Sequence, residues 1–301
     1  MSKQKKADFM LLLVTLFWGA SYYMIDISLR DLQPMMLNAV RFLVAFALMG
    51  AVFFNKIKSV SKETLKYACI AGVAMSGAYL CCTLGVLHTS LSNAGFLGGL
   101  SVIFTPILGL IFKKQIPTGK FAVVAILCIV GVGLLTLNGG FKPAAGDLLC
   151  ICGSLSFSCN LLITETAVKN KSVDPFQMAI YELGAVAVLM RIGALIFEKP
   201  SLPQTPVTWA TTLFLAIFCS GVSIIIQVLA QRHTTANHVG MIYTLEPMFV
   251  ALIAYCFAGE VLSVKGYVGA AIMMSAILLM EVDIKVVPIV RKLSGRRDFR
   301  Y

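Results

Sequence analysis

The residues of this chain with the most chemical potential are ionisable groups set deep in apolar runs. Arg41, Glu182 and Glu246 each lie well inside such a run. An arginine at the middle of a bilayer costs about 2.5–3.5 kcal/mol on insertion scales, so a functional role is its default reading. Arg41 lies seven residues past Pro34, about 10 Å along a helix, with Asn38 on the same face. It suits an anionic group of a substrate, or a pairing with Glu182 or Glu246. Glu182 lies seven residues past Pro175 in the same way. Glu246 precedes Pro247, which removes one backbone hydrogen bond and frees a carbonyl at that depth. Tyr243 shares its face. A carboxyl group so placed can take up a proton on one side and release it on the other, which makes Glu182 and Glu246 the coupling candidates. The structural alternative for Glu246 is capping of amides freed around Pro247.

Uncharged polar residues form two stripes. Ser76, Tyr79 and Thr83 follow i, i+3, i+7, and so do Ser220, Ser223 and Gln227. Tyr79, Thr83 and Gln227 are assigned to a substrate cavity. Ser76 and Ser220 fit ordinary hydrogen bonding between helices. Trp18 and Tyr22, at i and i+4, form an aromatic ledge. With Asn38, Arg41, Asn93, Asn160 and Tyr243 they complete the cavity set, and Pro106 and Pro247 are the expected helix breaks. Arg191, nine residues after Glu182 and on the opposite face, reads as a snorkelling residue. Asp26 and Glu165 lie near helix ends and are expected to touch water. Gly95 and Gly99 make a small-residue contact face.

The elements that must carry these groups follow from composition. Of 301 residues, 58% are hydrophobic and 13% charged, and the mean hydropathy is +0.87. A soluble domain is nearer half apolar and a quarter charged. Too few polar residues exist to cover a soluble core, which excludes a soluble enzyme, a disordered chain and a nucleic-acid-binding domain. The nine cysteines all fall in apolar runs and read as small buried hydrophobes rather than as a disulfide or metal framework. No His-Glu-x-x-His, Gly-x-Ser-x-Gly or phosphate-binding loop occurs. No catalytic residue, cofactor or metal is expected. The chain is therefore not read as an enzyme.

A bilayer-spanning helix needs about 20 apolar residues. That window predicts an all-α polytopic membrane protein of ten transmembrane helices, at 9–28, 34–54, 65–87, 91–112, 120–138, 147–166, 175–197, 208–230, 235–258 and 264–282. The first run is too long for a cleaved signal peptide and is expected to be retained. With the N-terminus inside, nineteen of the 25 Lys and Arg residues fall in cytoplasmic segments and four in outer ones. That bias sets the orientation, with both termini cytoplasmic. The net charge of +11 is then a topology signal rather than a nucleic-acid footprint.

Landmarks recur along the chain. Pro34 and Pro175, Arg41 and Glu182, and Pro106 and Pro247 are each 141 residues apart; Ser76-Gly77 and Ser220-Gly221 differ by 144. The expected units are a first five-helix repeat at 1–140, a second at 141–284 and a basic cytoplasmic tail at 285–301. An odd number of spans inverts the second copy. Inverted repeats point to a secondary transporter with its site near the midplane between them.

These residues resemble the ten-helix EamA-type branch of the drug/metabolite transporter superfamily over about 9–282. The matching stretches are Trp18-Gly19, Arg41-Phe42, Asn93-Ala94-Gly95-Phe96 leading to Thr105-Pro106, Leu245-Glu246-Pro247 and Gly259-Glu260. The resemblance implies a multi-pass carrier of the cytoplasmic membrane, often an exporter, for amino acids, other metabolites or toxic compounds. It also implies that helices one to four and six to nine surround the cavity, with five and ten at the periphery. Two departures are Ala20-Ser21, where an asparagine is often seen, and Phe157-Ser158, where Trp-Ala is common. The expected function is export of a small metabolite, such as an amino acid or related compound, by alternating access. Its partners are the lipid bilayer, the substrate and protons as candidate coupling ion. The alternatives are an uncoupled facilitator, exchanger or importer, and further off an intramembrane enzyme or a receptor.

Overall fold

The computed structural model describes residues 3–114, 121–136, 144–243 and 245–281. Among them every regular element is helical. In chain order these are α1 (Lys3–Ser28), α2 (Pro34–Val52), the single turn α3 (Phe54–Ile57), α4 (Lys62–Val86), α5 (Leu91–Gly98), α6 (Ser101–Lys113), α7 (Phe121–Thr136) and α8 (Ala145–Lys169). Then follow α9 (Pro175–Phe197), α10 (Pro206–Phe214), a π-helical stretch Leu215–Val222, α11 (Ser223–Gln231), α12 (Ala236–Tyr243), α13 (Glu246–Ile253), a π-helical turn Ala254–Ala258 and α14 (Val264–Glu281).

Short polar residues start these helices. The side chains of Ser61, Ser90, Asp174 and Thr205 each accept from the backbone amide three residues on, which satisfies one orphan donor of α4, α5, α9 and α10. Pro34, Pro175 and Pro206 stand at the first helical positions, where the missing N–H is no loss. Two long carboxylates cap helices distant in sequence. Glu198 accepts from the Met35 and Met36 amides at the start of α2 (2.7 and 2.8 Å). Glu260 accepts from the Leu91 and Ser92 amides at the start of α5 (2.7 and 3.0 Å). Gly259, at φ +67°, makes the left-handed turn that delivers Glu260 there.

Among the described residues seven helical stretches are long and apolar enough to cross a membrane: Gln4–Ser28, Pro34–Val52, Lys62–Val86, Leu91–Lys113, Ala145–Lys169, Pro175–Phe197 and Pro206–Gln231. The other three expected spans fall on α7, on α12 with α13, and on α14. The ninth leaves regular helix at Leu245, ahead of α13, and neither α12 nor the stretch Glu246–Ala258 reaches that length. The loops expected at 113–120 and 139–146 lie mostly outside the described residues, as does the tail.

The helix pairs α4–α8, α2–α9 and α4–α9 carry much of the packing, and α1 lies against α11, α12 and α13. Helices α7 and α14 pack on each other, with Gly131 set against the Gly269 carbonyl and Met273. Large apolar side chains such as Phe112, Ile129, Phe197 and Phe257 point outward, as a lipid-facing surface requires. The cysteines need a correction. Cys128, Cys150 and Cys219 are buried, but Cys69, Cys152 and Cys256 are exposed on that apolar exterior. A thiol is apolar enough for either place.

Two further expectations change. Pro106 is not where the fourth span breaks, because α6 runs straight through it. The break lies upstream at Gly99 and Leu100, where Gly99 fits against the Pro247 ring (3.1 Å from an added Cβ to Cγ). Glu165 does not touch water. It is 2% exposed and held by Lys113 (2.6 Å) and Lys169 (2.9 Å), since two long cationic side chains can bring their charge inward to a buried carboxylate.

Candidate substrate cavity

A cavity open to solvent, with about 700 Å³ of empty space when that solvent is included, lies between the two halves of the chain. From the first half, α1 contributes Trp18, Ser21, Tyr22 and Ile25; α4 contributes Ala78, Tyr79 and Cys82; α5 and α6 contribute Ala94, Gly98 and Ser101. From the second, α8 contributes Cys150, Gly153, Ser154 and Phe157, and the broken ninth span contributes Tyr243 and Glu246. The walls are mainly aromatic. Trp18 packs against Tyr243 with its ring tilted (4.7 Å between centroids) and meets Phe157 edge-on (5.4 Å). Glu246 is the single carboxylate among these residues, within hydrogen-bonding reach of the Tyr22 hydroxyl.

The π-helical stretch Leu215–Val222 orients two of the rings. A π turn leaves a carbonyl without its usual α-helical partner. Here the Cys219 carbonyl accepts from the Trp18 indole N–H (2.8 Å) and from the Tyr79 hydroxyl (3.3 Å). One backbone oxygen of the second half thus fixes an aromatic side chain from each of two first-half helices.

Beneath the cavity runs a buried polar chain. The Tyr243 hydroxyl donates to Gln227 Oε1 (3.5 Å), Gln227 Nε2 to Asn160 Oδ1 (3.1 Å), and Asn160 Nδ2 to Glu182 Oε1 (2.6 Å). Glu182 is fully buried, and its Oε2 has no hydrogen-bond donor among the described residues. Arg41 is also fully buried. Its Nε donates to Ser220 Oγ (3.0 Å), and its guanidinium lies over the rings of Tyr79 (4.7 Å) and Phe42 (5.3 Å).

The cavity assignments therefore divide. Trp18, Tyr22, Tyr79 and Tyr243 line the cavity with Glu246, and Pro247 supports it where the ninth span breaks. Six others do not line it. Asn38 Nδ2 donates to Thr83 Oγ1 (3.0 Å), a buried tie between α2 and α4. Asn160 and Gln227 belong to the chain below, and Arg41 to its ring pair. Asn93 sits half-buried in the first turn of α5. A buried polar group needs a partner, and another helix supplies one to Asn38, Thr83, Asn160, Gln227 and the Arg41 Nε, while Arg41 Nη1 and Nη2 have none among the described residues. Among the described residues Arg41 forms no ion pair with Glu182 or Glu246. Arg191 donates to Met36 Sδ (3.4 Å), and Asp26 pairs loosely with Arg30 at the surface.

Residues that composition hides complete the wall. Cys150, Gly153, Ser154 and Phe157 follow i, i+3, i+4, i+7 on one face of α8. The small volumes of Cys150, Gly153 and Ser154 make the room, Phe157 adds a ring to the wall, and that spacing was the available signal. The cavity lies toward the end of the bundle where α1 finishes and α5 and α8 begin. The opposite end is tied shut by Lys113–Glu165–Lys169, by His238 with Asp8 (3.1 Å), and by Gln231 Nε2 donating to the Leu161 carbonyl (3.0 Å).

The EamA-like transporter family profile matches residues 5–137 and again 144–282. An "uncharacterized transporter" of Archaeoglobus fulgidus is 24% identical over 94% of this chain and 88% of its own length. A "probable amino-acid metabolite efflux pump" of Salmonella typhimurium is 24% identical over 91% of this chain and 94% of its own. A crystal structure shares the fold with a TM-score of 0.72, covering 92% of this chain and 98% of its own, at 15% identity. The chain belongs to the EamA-like transporter family and is a multi-pass membrane transporter.

Proposed function

We propose that this EamA-like family member is a secondary transporter exporting a small organic metabolite across the plasma membrane by alternating access. In this reading ten spans form two inverted five-helix repeats, 1–140 and 141–284, with both termini and the basic tail 285–301 in the cytoplasm. The observation that carries it is the cavity: both halves of the chain contribute walls, and two interrupted helices meet there. Discontinuous helices at a repeat interface are the usual setting of a transport site. The Lys and Arg distribution turns the open end outward and the tied end toward the cytoplasm. Export is supported by the efflux pumps among the relatives. Protons are the proposed coupling ion, with Glu246 as carrier.

Counterflow into proteoliposomes preloaded with amino acids and amines tests this. Saturable uptake of a labelled member of the panel is expected, accelerated by an opposing pH gradient. A folded, reconstituted protein that moves no member of the panel would overturn the transport reading.

A further inference from the structure

We propose that the cavity selects organic monocations, meaning protonated amines with an aromatic or aliphatic body, over zwitterionic amino acids. This narrows the substrate class of the site already described and rests on that cavity being the transport site.

The hydrogen-bonding groups in the wall are largely committed. The Trp18 indole N–H and the Tyr79 hydroxyl both donate to the Cys219 carbonyl, and the Tyr243 hydroxyl donates to Gln227. Ser21 Oγ donates to the Trp18 carbonyl (2.7 Å) and Ser154 Oγ to the Gly98 carbonyl (3.0 Å). What remains toward the cavity is aromatic surface, Ser101, the Cys82 and Cys150 thiols, the Tyr22 hydroxyl and the one carboxylate within its reach, with no cationic group. Aromatic faces carry negative partial charge and attract a desolvated cation. Glu246, once deprotonated, adds a charge of the same sign.

Nothing in the wall answers an anion. No Lys, Arg or His lines the cavity among the described residues. The Arg41 guanidinium, fully buried against Tyr79 and Phe42, is outside the lining. An amino acid would bring a carboxylate into an apolar, acidic site with no counter-charge, and an unpaired anion buried there is strongly disfavoured. A primary amine with the same body leaves that group out and meets Glu246 with its ammonium. The cavity discriminates by what it lacks as much as by what it offers.

Trp18 is itself the reporter. The chain has two tryptophans, and Trp209, at the start of α10, is partly exposed and outside the cavity. A Trp209→Phe protein in detergent leaves Trp18 emission alone. Phenethylamine, phenylalaninamide, phenylalanine, 3-phenylpropionate and phenethyl alcohol share one ring and differ in charge. At neutral pH the two cations should change Trp18 emission at concentrations at least about tenfold below those needed for phenylalanine or the alcohol. The propionate should do nothing. Glu246→Gln should abolish the preference for amine over alcohol, and a melting curve should establish that this variant is folded. Phenylalanine, 3-phenylpropionate or the alcohol acting as tightly as phenethylamine would overturn the proposal, and so would no response to the amine. Amine binding without movement in proteoliposomes would overturn the transport reading alone. Transport of amino acids with no amine preference would overturn this proposal alone.

Discussion

Tyr243, Gln227 and Asn160 lead to Glu182, while Glu246 lies within reach of the Tyr22 hydroxyl and alone of the two carboxylates opens onto the cavity. That difference makes Glu246 the group to titrate. Glu246→Gln keeps shape and hydrogen bonding but releases no proton; the expected outcome is loss of pH-gradient-driven flux with substrate exchange retained. Unchanged coupling in proteoliposomes would return Glu246 to a capping role beside Pro247. For Arg41, the rings and Ser220 together hold a planar guanidinium. Arg41→Ala should lower transport at least about tenfold in inserted protein, and Arg41→Lys should recover little, because an ammonium cannot reproduce the plane or the Nε bond. At Asp31, in the connection between α1 and α2, the carboxyl accepts from the Thr208 hydroxyl (2.6 Å), which holds it below the ordinary aspartate value of 3.8. A depressed folded-state value means that this tether contributes above the ordinary value and is lost as pH falls through the lowered one. Thr208→Val should remove that acid-dependent part of the melting profile in detergent. Cavity polarity was legible at the residue scale only where a side chain was large. Trp18, Tyr22, Tyr79, Tyr243 and Glu246 stood out against an apolar background. Asn38, Thr83, Asn160 and Gln227 stood out equally but bond to one another, and no single-helix pattern says which helix supplies a partner.

Helix α5 meets α13 through glycine. A Cβ added at Gly95 would lie 2.7–2.8 Å from the Val250 side chain, so Gly95→Ala should cost about 1–3 kcal/mol through overpacking. Val250→Ala in the same protein should recover most of it, which a double-mutant cycle on thermal melts would measure. The contact explains why Gly95 and Gly99 stood out in the sequence as a small-residue face; their partner, the helix after Pro247, was not readable from spacing. The break in the fourth span was misplaced for a related reason. A proline marks a lost hydrogen bond, but a continuing helix tolerates it when neighbours pack around it, whereas Gly99 marks where a proline ring from another helix must fit. The π-helical stretch had no signal at all, since Leu215–Val222 reads as plain apolar helix.

At the scale of the molecule, hydropathy and charge bias carried the fold class, because a bilayer imposes length and composition on each span independently of its neighbours. Among the described residues seven stretches meet that length by themselves; α7 and α14 run up to residues outside the described ones and α12 with α13 is broken, so the crossing of these three rests on the proposed inverted symmetry. In a cysteine-free background, Lys114→Cys should label with a membrane-impermeant maleimide only from the cytoplasm, and Ala144→Cys only from outside. The reverse pattern would invert the molecule and turn the cavity mouth inward.

The wide turn at Leu215–Val222 also sets the rotational phase of everything that follows it in its span. Each residue advances a helix by about 100°. Trimming one residue here to restore an even α-helix would swing Gln227 and Gln231 round the axis by that angle, away from Asn160 and the Leu161 carbonyl, while withdrawing the oxygen that Trp18 and Tyr79 share. A one-residue deletion in this stretch would therefore loosen the aromatic wall and the floor beneath it in a single step. The span's length is held by two surfaces at once, and neither can drift alone.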